Sequence, residues 1–227
     1  LQSFVFTSSI SRDASHWLPQ WAPGSGALRD VILHGWPLSS QQLRLLLDAQ
    51  PHLHSLLIKI SSLNDNSFPP AGCAELADLT LHVAAGVETT FQLDWLSRLP
   101  ALEHLSLFGQ RVGMLYQPCS KPLKLPAPQG LWARNGVIDL SRLELPSLDC
   151  LEVDDCVQSP REIEQIAPRL TSFSAIATGT LVQQLVDEAT QPAESKQPLL
   201  FSHLRELILE VPDSDIVRQL APLLVRF

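Results

Sequence analysis

The chemistry open to this chain rests on a few histidines and on two carboxylates spaced two residues apart. His34, His82 and His104 fall on short apolar segments, and Glu152 and Asp154 share another. Imidazoles bind zinc when several converge with bonds near 2 Å, as about four ligands do in structural sites. On extended segments spaced about 4.8 Å apart, His34 and His82 would lie about 10 Å from each other, and His82 and His104 would differ in height. No metal site is expected from them. Glu152 and Asp154 have the separation of an acid–base pair. Acid catalysis also needs one carboxyl buried enough to keep its proton, and the residues around them do not predict that burial. No G-x-S-x-G, H-E-x-x-H or phosphate-cradling glycine loop occurs, and Gly24-Ser25-Gly26 reads as a turn. The expectation is a chain that is no enzyme and takes no cofactor.

The segments that carry these residues share one frame. Leu102-Glu103-His104-Leu105-Ser106-Leu107-Phe108 places leucine at positions 1, 4 and 6. Side chains on a strand alternate between faces, so positions 4 and 6 point one way and positions 3, 5 and 7 the other. The same L-x-x-L-x-L frame begins at Leu1, Leu28, Leu53, Leu76, Leu102, Leu148, Leu170 and Leu204, and every residue at positions 4 and 6 is apolar. Successive starts are separated by 27, 25, 23, 26, 46, 22 and 34 residues. A repeat of this length marks stacked strand-containing units.

Helix signals lie between the frames. Ser39 caps a segment carrying Leu43, Leu46 and Leu47 that stops at Pro51. Thr89-Thr90-Phe91-Gln92 resembles a capping box ahead of Leu93, Leu96 and Leu99. Ser159-Pro160-Arg161-Glu162 joins a cap, a proline at the first helical position and a glutamate three residues on. Thr180 and Asp213 are the start signals for two further helices. Alternating strand and helix imply parallel strands joined by returning helices.

Two stretches break the rhythm. Residues 113–136 hold Pro118, Pro122, Pro126 and Pro128, and read as a proline-rich insertion that rules out a regular helix or a central strand. Its Tyr116 and Trp132 stand near Lys121, Lys124 and Arg134, aromatic anchors beside positive charge. Residues 188–198 read as a mobile polar loop.

Composition narrows the function classes. Apolar residues make up 45% of the 227 and charged residues 18%, which suits a substantial core and excludes a disordered chain. Net charge is −8, and both sides of residue 113 are acidic, so neither nucleic acid nor an anionic membrane is an expected partner. Cys73, Cys119, Cys150 and Cys156 are too few for a disulfide scaffold and contain no C-x-x-C pair. Free thiols point to an intracellular setting. A start at Leu1 rather than Met implies a fragment of a longer chain.

Taken together, the frame and its spacing resemble the leucine-rich-repeat proteins of ribonuclease-inhibitor-like type. Irregular unit lengths, with Cys156 at position 9 of the unit beginning at Leu148, are similar to the repeats of F-box proteins. The resemblance implies a single domain over residues 1–227, an α/β curved right-handed solenoid of about eight irregular repeats, with a parallel sheet on the concave face and helices on the convex face. It departs from the family at position 9, where Trp36, Ala84, Gln110 and Pro212 replace the usual Asn or Cys. It also implies function: a protein–protein recognition module, the substrate-binding domain of an F-box-type ubiquitin-ligase adaptor, whose ligase core would be reached through an upstream segment. The alternatives are the sensing repeat of an immune receptor or a microbial effector, and, remotely, an enzyme or enzyme activator using an acidic groove.

Positions 3, 5 and 7 then supply the expected protein-binding face. One end carries His34, Lys59, His82, His104 and Phe108, a mildly cationic patch with an aromatic anchor. The other carries Glu152, Asp154, Glu206 and Glu210. Ile32, Leu57 and Ile176 add exposed apolar surface. The insertion, with Tyr116 and Trp132, is the second candidate site.

Overall fold

The computed structural model describes residues 3–7, 28–60, 73–84, 91–92, 94–109, 115–117, 123–125, 128–138, 140, 143–156, 160–176, 179–190 and 203–210. Its strands are β1 (Ser3–Thr7), β2 (Asp30–Leu38), β3 (Ser55–Ile60), β4 (Asp78–Val83), β5 (Phe91–Gln92), β6 (His104–Phe108) and β7 (Leu115–Gln117). They continue with β8 (Leu123–Lys124), β9 (Gly130–Ile138), β10 (Leu143–Glu144), β11 (Cys150–Cys156), β12 (Ser172–Ile176) and β13 (Glu206–Glu210). Three α-helices are described: α1 (Ser40–Ala49), α2 (Pro160–Ile166) and α3 (Gly179–Thr190). The fold is α/β. An open, wholly parallel sheet runs in the order β1-β2-β3-β4-β6-β9-β11-β12-β13, and β5 and β7 form a side branch off β9. β8 and β10 pair separately.

Position parity explains the sheet. In β3, β4, β6 and β12 every second residue is buried, and the buried ones are positions 4 and 6 of the frame, with position 8 added in β3 and β4. Those side chains form one continuous core with Leu43, Leu46 and Leu47 of α1 and Ile163 of α2. Burying two leucines contributes about 3–6 kcal/mol, and ordering five residues costs about 1–2 kcal/mol each. A single strand therefore cannot persist, and the sheet holds only as a stack.

Two hydrogen-bond patterns keep the units in step. The carbonyl preceding each of β2, β3, β4, β6, β9, β11 and β12 accepts the N–H groups of positions 2 and 3 in the next unit, at 2.7–3.1 Å; Ala77 accepting from Glu103 and His104 is one instance. Before the strands, Gln50, Cys73, Leu99, Leu145 and Ala167 accept from the position 1 leucine three residues on, at 3.1–3.3 Å. Four of these turns carry proline second, at Pro51, Pro100, Pro146 and Pro168, where its fixed φ suits the bend.

The α1 cap is the expected one. Gln42 N–H donates to Ser39 Oγ, and Ser39 N–H donates to Gln42 Oε1. At the far end Gln50, 4% exposed, accepts at Oε1 from Leu28 N–H and ties the helix to the start of β2. α2 begins at Pro160 and α3 at Gly179, beside the expected Thr180. Asp213 lies outside the described residues.

Several expectations are corrected. The helix expected after Thr89 is not formed by the described residues 91, 92 and 94–99: Phe91 and Gln92 pair with β7, and a 3₁₀ helix, Asp94–Arg98, precedes the Leu99-Pro100 turn. A 3₁₀ helix covers more length per residue, about 2.0 Å against 1.5 Å, which suits so short a span. Residues 188–190 end α3 rather than belonging to a loop, and 191–198 lie outside the described residues.

The larger correction concerns residues 113–136. Its last third is the start of β9, a full member of the sheet between β6 and β11, with Leu131 and Ala133 buried at positions 4 and 6. Pro128 occupies position 1, just ahead of the strand, where a missing N–H costs no ladder bond. The matching tetrapeptides Leu99-Pro100-Ala101-Leu102, Leu125-Pro126-Ala127-Pro128 and Leu145-Pro146-Ser147-Leu148 show the unit in the sequence. The frame therefore has nine copies along the sheet, not about eight.

Candidate functional site

Along the main sheet the strands pair position for position at positions 3 to 6, and at position 7 the register shifts between β2 and β3 and between β9 and β11. His82 opposes Phe108 and Lys59 opposes His82, as their shared position 7 requires. At that end of the strands a recess of about 170 Å³ opens. Leu33, Leu57 and Val83 form its apolar floor, while His34, Lys59, His82 and Phe108 stand around it. A bulge shapes one wall: β2 pairs Leu33 with Ile58 but Pro37 with Lys59, so His34, Gly35 and Trp36 are extra residues. Bulges re-aim the side chains they carry, and His34 is one of them.

Phe108 is half-buried, not a bare exposed anchor. The His82 ring stacks on it with centroids 4.7 Å apart and planes at 18°. Burial first, then the charges of His34 and Lys59, push the His82 imidazole below its ordinary range, so it is neutral at pH 7.

His104 does not join this group. Position 3 lies four residues from position 7, about 13 Å along a strand. There His104 Nδ1 sits 2.6 Å from Asp78 Oδ1, and His54 Nδ1 lies 3.6 Å from Asp78 Oδ2. Trp132 tilts against His104, with centroids 5.8 Å apart. Gly130 makes that placement possible, because a Cβ there would meet the Trp132 ring at 2.2 Å. Trp132 is thus part of the sheet face at position 5, not an insertion-loop anchor.

The acidic end is partly neutralised. Arg134, at position 7 of the unit beginning at Pro128, donates from Nε and Nη2 to Glu152 Oε1, and its Nη2 lies 3.9 Å from Glu210 Oε1. The Glu152 hydrogen bond, then its charge, hold the guanidinium above its usual range. Asp154 is half-buried beside them, and Glu206 Oε2 accepts from Ser172 Oγ at 2.9 Å. A second bulge, Arg134 to Gly136 opposite Asp154, sets this arrangement. Arg134 falls within the insertion expected from the sequence; the Leu-Pro-Ala-Pro turn is the signal that puts it on the face.

Ile32, Leu57 and Ile176 are all half-buried on the same face. The backbone of Tyr116 lies on β7, opposite Phe91, and its side chain is outside the described residues. Among the described residues no three His, Cys, Asp or Glu side chains cluster closely enough to hold a metal ion, and no helix is long and apolar enough to cross a membrane. Cys73 and Cys150 are free. Burial, then Asp48, pushes the Cys73 thiol up to about 12, so it is protonated and inert at neutral pH.

No protein-family model matches the chain, and no curated protein matches its sequence.

Proposed function

We propose that this chain is a leucine-rich-repeat solenoid whose open sheet face recognises another protein and carries out no catalysis. The observation that carries the reading is the register, which is constant at positions 3 to 6 across the nine strands of the main sheet. It turns positions 4 and 6 of the inner strands, β2 to β12, into the core, with Phe4, Leu207 and Leu209 packed against it, and leaves positions 3, 5 and 7 as a surface about 38 Å across. That span suits a protein epitope better than a small molecule. The contact between Arg134 and Glu210 supports curvature toward this face, since their strands are three steps, about 14 Å, apart in a flat sheet. In the adaptor reading, this face takes the substrate of an F-box-type ubiquitin ligase, and a segment outside these residues reaches the ligase core.

The test compares partner retention by face and helix variants. Phe108→Ala and His82→Ala are expected to lower the affinity for a captured partner about ten-fold or more each, as hot-spot truncations do. Gln165→Ala, exposed on α2, should leave it unchanged. Equal retention by all three variants, with unfolding midpoints unchanged, moves the binding surface off the sheet.

A further inference from the structure

We propose that the recess bounded by β2, β3, β4 and β6 captures an acidic side chain of an extended peptide, whose basic residue lies toward β11–β13. This rests on the recognition reading above and names the chemistry of its partner.

Three observations lead to it. The recess holds about 170 Å³. That is near the roughly 150 Å³ that encloses a benzene ring and below the roughly 300 Å³ at which small-molecule sites begin. One side chain fits. Second, His34, Lys59 and His82 all border the recess, and among the described residues no carboxylate pairs with Lys59. Burial first, then the charges of His34 and Lys59, lower the His82 imidazole, in keeping with three basic side chains around one space. A carboxylate there gains from Lys59 and would also favour protonated His82, while its methylenes lie on Leu57 and on the Phe108 ring that braces His82. The stacked pair is already in place, which limits the entropy lost on binding.

Third, the same face changes sign along the sheet. Among the described residues, Glu152, Asp154 and Glu210 stand at the position 5 to 7 end of the far strands, with Arg134 as the cation in contact with them, while Glu206 at position 3 lies at the other end of β13. From β3, strand β11 is four steps away and β13 six, which is about 19–29 Å. An extended chain covers that distance in about six to nine residues. The complementary peptide therefore carries Asp or Glu with Lys or Arg about six to nine residues away.

The experiment selects random twelve-residue peptides on the immobilised chain and then measures a double-mutant cycle with the best one. Peptides with the stated charge pattern are expected to be enriched. Replacing the peptide's acidic residue by its amide should weaken binding to the wild type about ten-fold, and to Lys59→Met less than two-fold. Methionine keeps the length of the half-buried stem, and His34→Gln serves as a second variant if Lys59→Met fails to fold. Peptides that lose affinity on Phe108→Ala but show no acidic preference would overturn this inference and leave the recognition reading standing. Peptides indifferent to Phe108→Ala, Lys59→Met and His34→Gln alike overturn both.

Discussion

Leu131→Asp is expected to unfold the protein at 25 °C, whereas Ser106→Asp, on the neighbouring strand, is expected to shift stability by less than about 1 kcal/mol. Leu131 is 2% exposed at position 4 of β9 and belongs to the continuous core. Removing its side chain costs about 2–5 kcal/mol through lost burial and the cavity left behind. A carboxylate put in its place has no described partner in an apolar core, so it must shed its charge or draw in water, at several kcal/mol more. Domains of this size are stable by about 5–15 kcal/mol, so the combined cost takes most or all of that. Ser106 opposes Trp132 on the half-exposed face, and an added carboxylate there stays hydrated. Circular dichroism with urea titration of both variants reads the contrast. Similar losses in the two would mean that β9 does not follow the frame.

Phe173→Ala should cost about 3–5 kcal/mol. Phe173 is fully buried at position 4 of β12, where the other strands mostly carry leucine, and it ranks among the largest side chains with no exposure. Its neighbours in register are Leu151 of β11 and Leu207 of β13. β13, the last strand of the sheet among the described residues, leans on it, because Leu207 and Leu209 are themselves only half-buried. The cavity would open beside the last strand of the sheet, and β13 should lose amide protection before β3 does. Hydrogen exchange and the unfolding midpoint check both points. A cost below 1 kcal/mol would show that the core under β12 is loosely packed.

How far the sequence could be read depended on which physical rule governed each part. Strand parity was legible, because leucine at positions 4 and 6 leaves only one way to bury a parallel strand. The α1 cap was legible from Ser39, though not the return bond from Gln42, and the partnership of Lys59, His82 and Phe108 followed from their shared position 7. The unit at Pro128 was missed because proline replaces its first leucine and alanine its third, so the frame looked empty where the turn tetrapeptide was intact. The two bulges were not legible, since extra residues such as His34 to Trp36 show only when a strand is laid against its neighbours. They decide the walls of the recess and the reach of Arg134. His104 was grouped with the wrong cluster for a related reason: position 3 and position 7 share a face but not an end. Only the side chains show that it turns to Asp78 and Trp132.

One continuous face runs from Lys59 to Glu210, with β9 carrying Trp132 and Arg134 across its middle. Paired cysteines measure this most directly. Ser106→Cys with Trp132→Cys places two thiols on strands in direct register, about 4.8 Å apart, inside the roughly 4.4–6.8 Å that a disulfide spans. Ser106→Cys with Glu152→Cys places them two strands apart, about 10 Å, which is too far. Mass mapping of the oxidised proteins should find the first bridge and not the second. A bridge between positions 106 and 152, with none between 106 and 132, would remove β9 from the sheet and contradict the account.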